Sequence, residues 1–232
     1  MAQSPRHGTN SQLKPAGAQH NEGVPIGQIA ILEDELVDQA VELHARLLTR
    51  RLKGEPGKRL LRMYYAELSA DNGIGLCLAL REENRLRGMV VLRWGGNRLL
   101  WTLLKKRPAE LLSLLAWHTV RHPITVLAMG RQLWERKPLN GLFHQAGNPT
   151  SWCILHALVA NPSGEGIGSA LTSAAIEKAR SLGFEYMFTP TYADNKANRL
   201  YEAAGFKHLL TTAEGRDNVN WYGRGLERAK EA

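Results

Sequence analysis

"LVANPSGEGIGSAL", residues 158–171, places three glycines within five positions, between an apolar run and a helical pattern. The run before them, Trp152–Ala160, is apolar and is closed by Asn161 and Pro162, which suits a buried strand. After them Ile167, Leu171, Ala174, Ala175 and Leu182 recur at helical spacing until Gly183 stops the pattern. A glycine-rich turn at the mouth of a helix lets backbone N–H groups converge on an anion. The helix adds its own unsatisfied N–H groups and its dipole. A tight strand-to-helix turn with no ligand has the same composition, so the glycines alone leave both readings open. The neighbouring residues exclude two phosphate motifs. A P-loop needs Lys and then Ser or Thr after its last glycine, and Gly168 is followed by Ser169 and Ala170. A dinucleotide fingerprint begun at Gly164 or Gly166 needs Gly or Ala at 169 or 171, where Ser169 and Leu171 stand.

Working outward, residues 1–25 are rich in Ser, Gly, Pro, Gln and Asn without an apolar stretch and are expected to be a disordered tail. A strand is expected over 27–32, helices over 34–52 and 58–69, and a hairpin from 74–80 and 86–94 around the charged segment REENR. Beyond the glycines come a strand over 185–189, a helix over 195–204 stopped by Gly205, and two strands over 207–212 and 219–224. That order makes a mixed α/β sheet rather than an uninterrupted βαβ array. The 232 residues suffice for one domain, 26–232, carrying an insertion over 95–150.

The net charge is +8, which calls for an anionic partner without naming it. Between residues 98 and 137 eight cationic residues face Glu110 and Glu135, a local balance of +6. The aromatics there sit among leucines and are not interleaved with arginines, so nucleic acid is not expected as a partner. Cys77 and Cys153 lie in strand-like runs, and neither CxxC nor HExxH occurs. The expectation is reduced, buried thiols in a cytoplasmic protein with no metal. No window offers the run of about eighteen apolar residues that a spanning helix needs.

A second stretch, "ADNKANRLYEAAGF" at 193–206, comes after the first in an order and at a separation that resemble the two cofactor motifs of the GNAT superfamily of N-acetyltransferases. The resemblance covers about residues 27–225 apart from the insertion. It implies a mostly antiparallel mixed sheet flanked by helices, with the helical insertion between the third and fourth strands, and acetyl-CoA as co-substrate. In that family the strand before the glycine loop splays from its neighbour and holds the pantetheine arm. Here it would place Leu158, Val159 and Ala160 closest to the thioester. The pyrophosphate would rest on the amides of Gly164, Glu165, Gly166, Ile167, Gly168 and Ser169. The sequence departs from the family at Ser163, where Arg or Gln is usual, and in a loop a residue or two short after Pro162; Glu165 adds a charge that needs a compensating cation such as Lys196 or Arg199. Either Asn195 or Asn198 is expected to touch the cofactor.

Acetyl transfer to an amine needs a neutral nucleophile, a donor for the developing oxyanion and a proton for the leaving thiolate. The resemblance assigns the proton to Tyr201 and the oxyanion to backbone N–H near Val159. His156 is the candidate base, with a water chain as the alternative. Glu67 and Tyr65 fall on the helix that often lines the acceptor pocket. The expected reaction is acetylation of a small-molecule primary amine. A non-catalytic acyl-CoA sensor and an acyltransferase with a longer donor are the rivals. For the insertion three roles stay open: extra core or a homodimer contact, a peripheral contact with the inner face of the membrane, and reception of an acyl-carrier protein through 98–137.

Overall fold

Leu76, Leu78 and Leu80 face one side of their strand, Cys77 and Ala79 the other, and all five are buried. A strand that is apolar on both faces requires a layer of helix on each. The computed structural model describes residues 27–48, 54–69, 73–94, 98–121, 151–214 and 217–227, and it supplies both layers.

The elements run β1 (Gln28–Ile31), a 3-10 turn (Asp34–Leu36), α1 (Val37–Leu47), α2 (Glu55–Ser69), β2 (Gly75–Glu82), β3 (Arg85–Arg93), α3 (Arg98–Lys106), α4 (Pro108–Arg121) and β4 (Trp152–Ala160). They continue through α5 (Ile167–Ser181), β5 (Tyr186–Tyr192), α6 (Ala197–Ala203), β6 (Lys207–Glu214) and β7 (Asp217–Gly225). The seven strands form one sheet in the order β1-β2-β3-β4-β5-β7-β6. All neighbours are antiparallel except β4 and β5. This is the mixed, mostly antiparallel sheet flanked by helices that the sequence implies.

On one face Ile167, Leu171, Ala175, Ile176 and Ala179 of α5 pack on Leu78, Val90, Leu92 and Leu155. On the other, Val41 of α1 and Leu61, Tyr65 and Leu68 of α2 pack on Cys77, Met89, Val91 and Val159. Gly88 lets α5 approach, because a Cβ there would stand 2.8 Å from both Ile167 and Leu171 side chains. The turn of the β2–β3 hairpin is shorter than the charged segment suggests. The strands run on through Arg81, Glu82 and Arg85, and Glu83 turns the chain with φ +53°. Charged side chains pair comfortably at an exposed hairpin end, so charge did not mark the strand ends here.

The insertion enters between β3 and β4, as α3 and α4, with Pro108 opening α4, where its missing N–H costs nothing. Leu103 and Leu111 are buried against Met63 and Ile74, with Leu60, Tyr64, Leu104 and Leu114 around them. Lys106 Nζ lies 2.8 Å from Glu67 Oε2 of α2. This part of the insertion therefore extends the core over α2. The expected tail, residues 122–150 and the side chain of Trp117 lie outside the described residues. None of the described helices is long and apolar enough to cross a membrane.

Candidate active site

β4 and β5 pair only at Trp152, Cys153 and Ile154, opposite Tyr186, Met187 and Phe188. Beyond that level β4 stays paired with β3 and residues 189–192 pair only with β7, so the sheet opens between its two parallel strands. A bulge accompanies the opening. Val91 pairs with Ala157 and Leu92 with Leu155, which leaves His156 as the extra residue. Its effect is to exchange faces. Leu155 packs towards α5, whereas Ala157 and Val159 pack towards α1 and α2. Asn161 N donates to Arg87 O, and backbone groups alternate sides along a strand. The N–H and C=O groups of Leu158 and Ala160 consequently face the opening. Val159 itself points to β3, so its two neighbours carry the exposed main-chain donors.

The glycine turn lies at the end of this opening. Gly164 and Gly166 have φ of +96° and +76°, a conformation that a side chain disfavours. A Cβ at either would meet no protein atom within 4 Å, so the outer side of the loop is free. Gly166 is the N-cap of α5, with no side-chain cap and no acidic residue in the first turn. The first N–H groups of α5, on Ile167, Gly168 and Ser169, thus keep the positive end of the helix available to an anion. Gly168 also lies close to α6, where a Cβ would stand 3.3 Å from Leu200. Glu165 is paired, but not by Lys196 or Arg199: its Oε2 lies 2.9 Å from Arg87 Nη2 on β3.

Just before α6, Asn195 Oδ1 accepts from Ala197 N at 2.9 Å and so opens the helix. Asn198 Nδ2 donates to the carbonyls of Tyr192, Ala193 and Asn195, and its Oδ1 accepts from Asn220 Nδ2 and Tyr222 Oη. Asn198 therefore ties the loop after β5 to β7. Tyr201 is buried in the cluster under α5, and burial raises its pKa while the Thr189 hydroxyl of β5 acts in the opposite direction. His156 is exposed, with its ring 6.2 Å from that of Tyr64 on α2. Tyr201 and His156 thus belong to opposite faces of the sheet, on either side of the opening. Tyr65 turns away from it into the core, where its hydroxyl meets His44 Nδ1 at 2.7 Å. Glu67 is buried beneath Lys106. Cys77 and Cys153 are buried thiols whose pKa values are pushed up by desolvation, that of Cys153 to about 12. A thiol so far from ionisation is not a nucleophile at neutral pH. Among the described residues no group of three or more His, Cys, Asp or Glu side chains is placed to hold a metal.

Residues 128–206 match the family model of the acetyltransferase (GNAT) family. Over that stretch the chain resembles the GNAT acetyltransferases. An N-acetyltransferase from Staphylococcus aureus Mu50 superposes with a TM-score of 0.54 at 14% identity, over 86% of this chain and 98% of that one. The aminoglycoside 6'-N-acetyltransferase from Enterococcus faecium gives 0.54 at 12%, over 88% and 99%. The ribosomal-protein-S18-alanine N-acetyltransferase from Escherichia coli gives 0.50 at 14%, over 88% and 96%. At such identities the likeness is one of fold. A search of curated proteins returned no match.

The structure brings the glycine loop, β4, Tyr201 and His156 around one opening. It also adds Arg87, Tyr64 and Thr189, which the motifs do not contain. Arg87 had little sequence signal, being one of three arginines in β3, though Arg85 and Arg93 stand at its ends and Arg87 between Leu86 and Gly88.

Proposed function

We propose that the protein is an acetyl-CoA-dependent N-acetyltransferase acting on a primary amine of a small molecule in the cytoplasm. The observation that carries this reading is the parting of β4 from β5 directly before an uncapped, glycine-led helix N-terminus. The residues fit the co-substrate: the free side of Gly164 and Gly166 and the first amides of α5 suit a diphosphate. The open main chain of Leu158 and Ala160, on either side of Val159, suits the amide-bearing pantetheine arm.

Acetyl-CoA supplies a thioester whose C–S bond breaks as the C–N bond forms. The main-chain N–H of Leu158 or Ala160 stabilises the oxyanion. Tyr201 gives its proton to the departing sulfur, and His156, on the other face, takes the proton that the amine loses, directly or through water. Asn198 holds the β5–α6 loop by its hydrogen bonds, and Asn195 starts the helix that carries Tyr201. The structural neighbours include enzymes named for aminoglycoside and for ribosomal-protein alanine substrates. An amine panel should therefore span amino sugars, amino acids, polyamines and an alanyl peptide. Calorimetry with acetyl-CoA followed by thiol-release assays over that panel tests the reading. Binding with no thiol release on any amine would favour a sensor instead.

A second reading, a longer-chain acyltransferase resting on an anionic membrane, is supported by one surface. Trp101 and Leu112 are 60% and 56% exposed, beside the exposed Lys105, Lys106 and Arg107. Salt-sensitive sedimentation with anionic vesicles, lost on W101S/L112S, would favour it. Leu111 is unsuitable for that test because it is core.

A further inference from the structure

Glu165 stands between the two left-handed glycines, and its carboxylate is turned sideways towards β3. Its partner Arg87 is fixed by more than that pair. Arg87 Nη2 reaches Glu165 Oε2 at 2.9 Å, Nε donates to the carbonyl oxygen of Asn161 at 3.2 Å, and Nη1 donates to the carboxylate of Glu82. One planar guanidinium therefore ties the strand that feeds the loop, at Asn161, to the loop itself, at Glu165. The side chains of Arg87 and Glu165 are 29% and 45% exposed, so as a stabilising contact the pair contributes little. Its location gives it another use. An unpaired carboxylate one residue before the N-cap of α5 would repel an anion approaching that helix end, because like charges a few ångströms apart repel even in a well-solvated setting.

We propose that Arg87 is a positioning residue of the coenzyme A site, holding Glu165 away from the diphosphate and offsetting its charge so that an acid-bearing loop can still take a polyanion. The inference rests on the acetyl-CoA reading above. It explains how the loop works with Ser163 in place of the family's Arg or Gln and with the added charge of Glu165: a guanidinium arrives from the neighbouring strand.

Calorimetric titration of coenzyme A into the full chain, R87A, R87K, E165Q and R87A/E165Q tests it. R87A weakens binding by about tenfold, and less at high salt. E165Q binds at least as tightly as the wild type, R87K falls between R87A and the wild type, and R87A/E165Q regains most of what R87A loses. A merely structural arginine would not be rescued by removing its partner's charge. If R87A binds like the wild type, if the double variant is as weak as R87A, or if E165Q alone weakens binding, the proposal is wrong while the acetyltransferase reading stands. A wild-type chain that binds no coenzyme A overturns that reading and this one together.

Discussion

The proton on Tyr201 is the residue-scale question on which turnover depends. Burial raises the pKa of this phenol, so it stays protonated at neutral pH and can serve a thiolate whose ordinary pKa is about 8.5. Y201F should lower kcat at least about a hundredfold and leave coenzyme A affinity within about twofold, as steady-state rates and calorimetry will show. An unchanged kcat would move the acid elsewhere. Gly166 separates backbone need from ligand need. Since no protein atom crowds its missing Cβ, G166A should cost only about 1–2 kcal/mol of stability through its φ of +76°. On the proposed binding mode the added methyl meets the diphosphate on the open side of the loop, so coenzyme A affinity should fall further than stability does. Thermal melts and titrations of the same sample separate the two effects. His44, remote from the site, sets a pH dependence. Burial beside Tyr65 lowers its pKa to about 4 from 6.5, so the unfolded chain binds more protons between those values. This contribution is complete above pH 6.5 and is lost as pH falls towards 4, at up to about 1.4 kcal/mol per pH unit. Urea midpoints from pH 7 to 5 should show the slope, and H44Q should flatten it.

Among the elements, β4 decides the site and was only half legible. Its limits were marked by Asn161, Pro162 and the glycines, and the helix after it by Gly183, because backbone punctuation is local chemistry that a sequence states openly. The bulge was not marked. "WCILHALVA" reads as one apolar run, and nothing in it tells that Leu155 and Ala157 face opposite sides. The face exchange is fixed by packing against α5 on one side and α1 and α2 on the other, which is tertiary information. A deletion separates this geometry from the side chain. H156A, at an exposed position, should change stability by less than about 1 kcal/mol. Removal of residue 156 makes Leu155 and Ala157 neighbours, which alternate faces in a regular strand, so the pairings of Val91 with Ala157 and Leu92 with Leu155 and the faces of both should survive and the urea transition should stay cooperative. A deletion variant that loses its cooperative transition would contradict this reading of His156 as the extra residue. Arg87 was hidden for a related reason: its partners Asn161 and Glu165 lie more than seventy residues away, and only the β3–β4 pairing brings them together.

At the scale of the molecule, the proposed mechanism divides between the two faces of the sheet. Tyr201 approaches the opening from the α5 face and His156 from the α2 face, so the thiol and the amine can be served from opposite sides of one gap. The helical insertion adds to the α2 face, where Lys106 closes over Glu67 and Leu103 over Met63, which on the proposed mechanism is the acceptor's side. That division was not available from periodicity, since amphipathic helices announce an apolar stripe but not which face of a sheet will receive it. The most direct measurement is a crystal structure of the chain with coenzyme A. The account predicts the diphosphate on the amides of residues 164–169 and the pantetheine arm beside Leu158 and Ala160, with its sulfur between Tyr201 and His156. A nucleotide bound anywhere else, or an opening between β4 and β5 filled by the protein's own side chains in that complex, would contradict it.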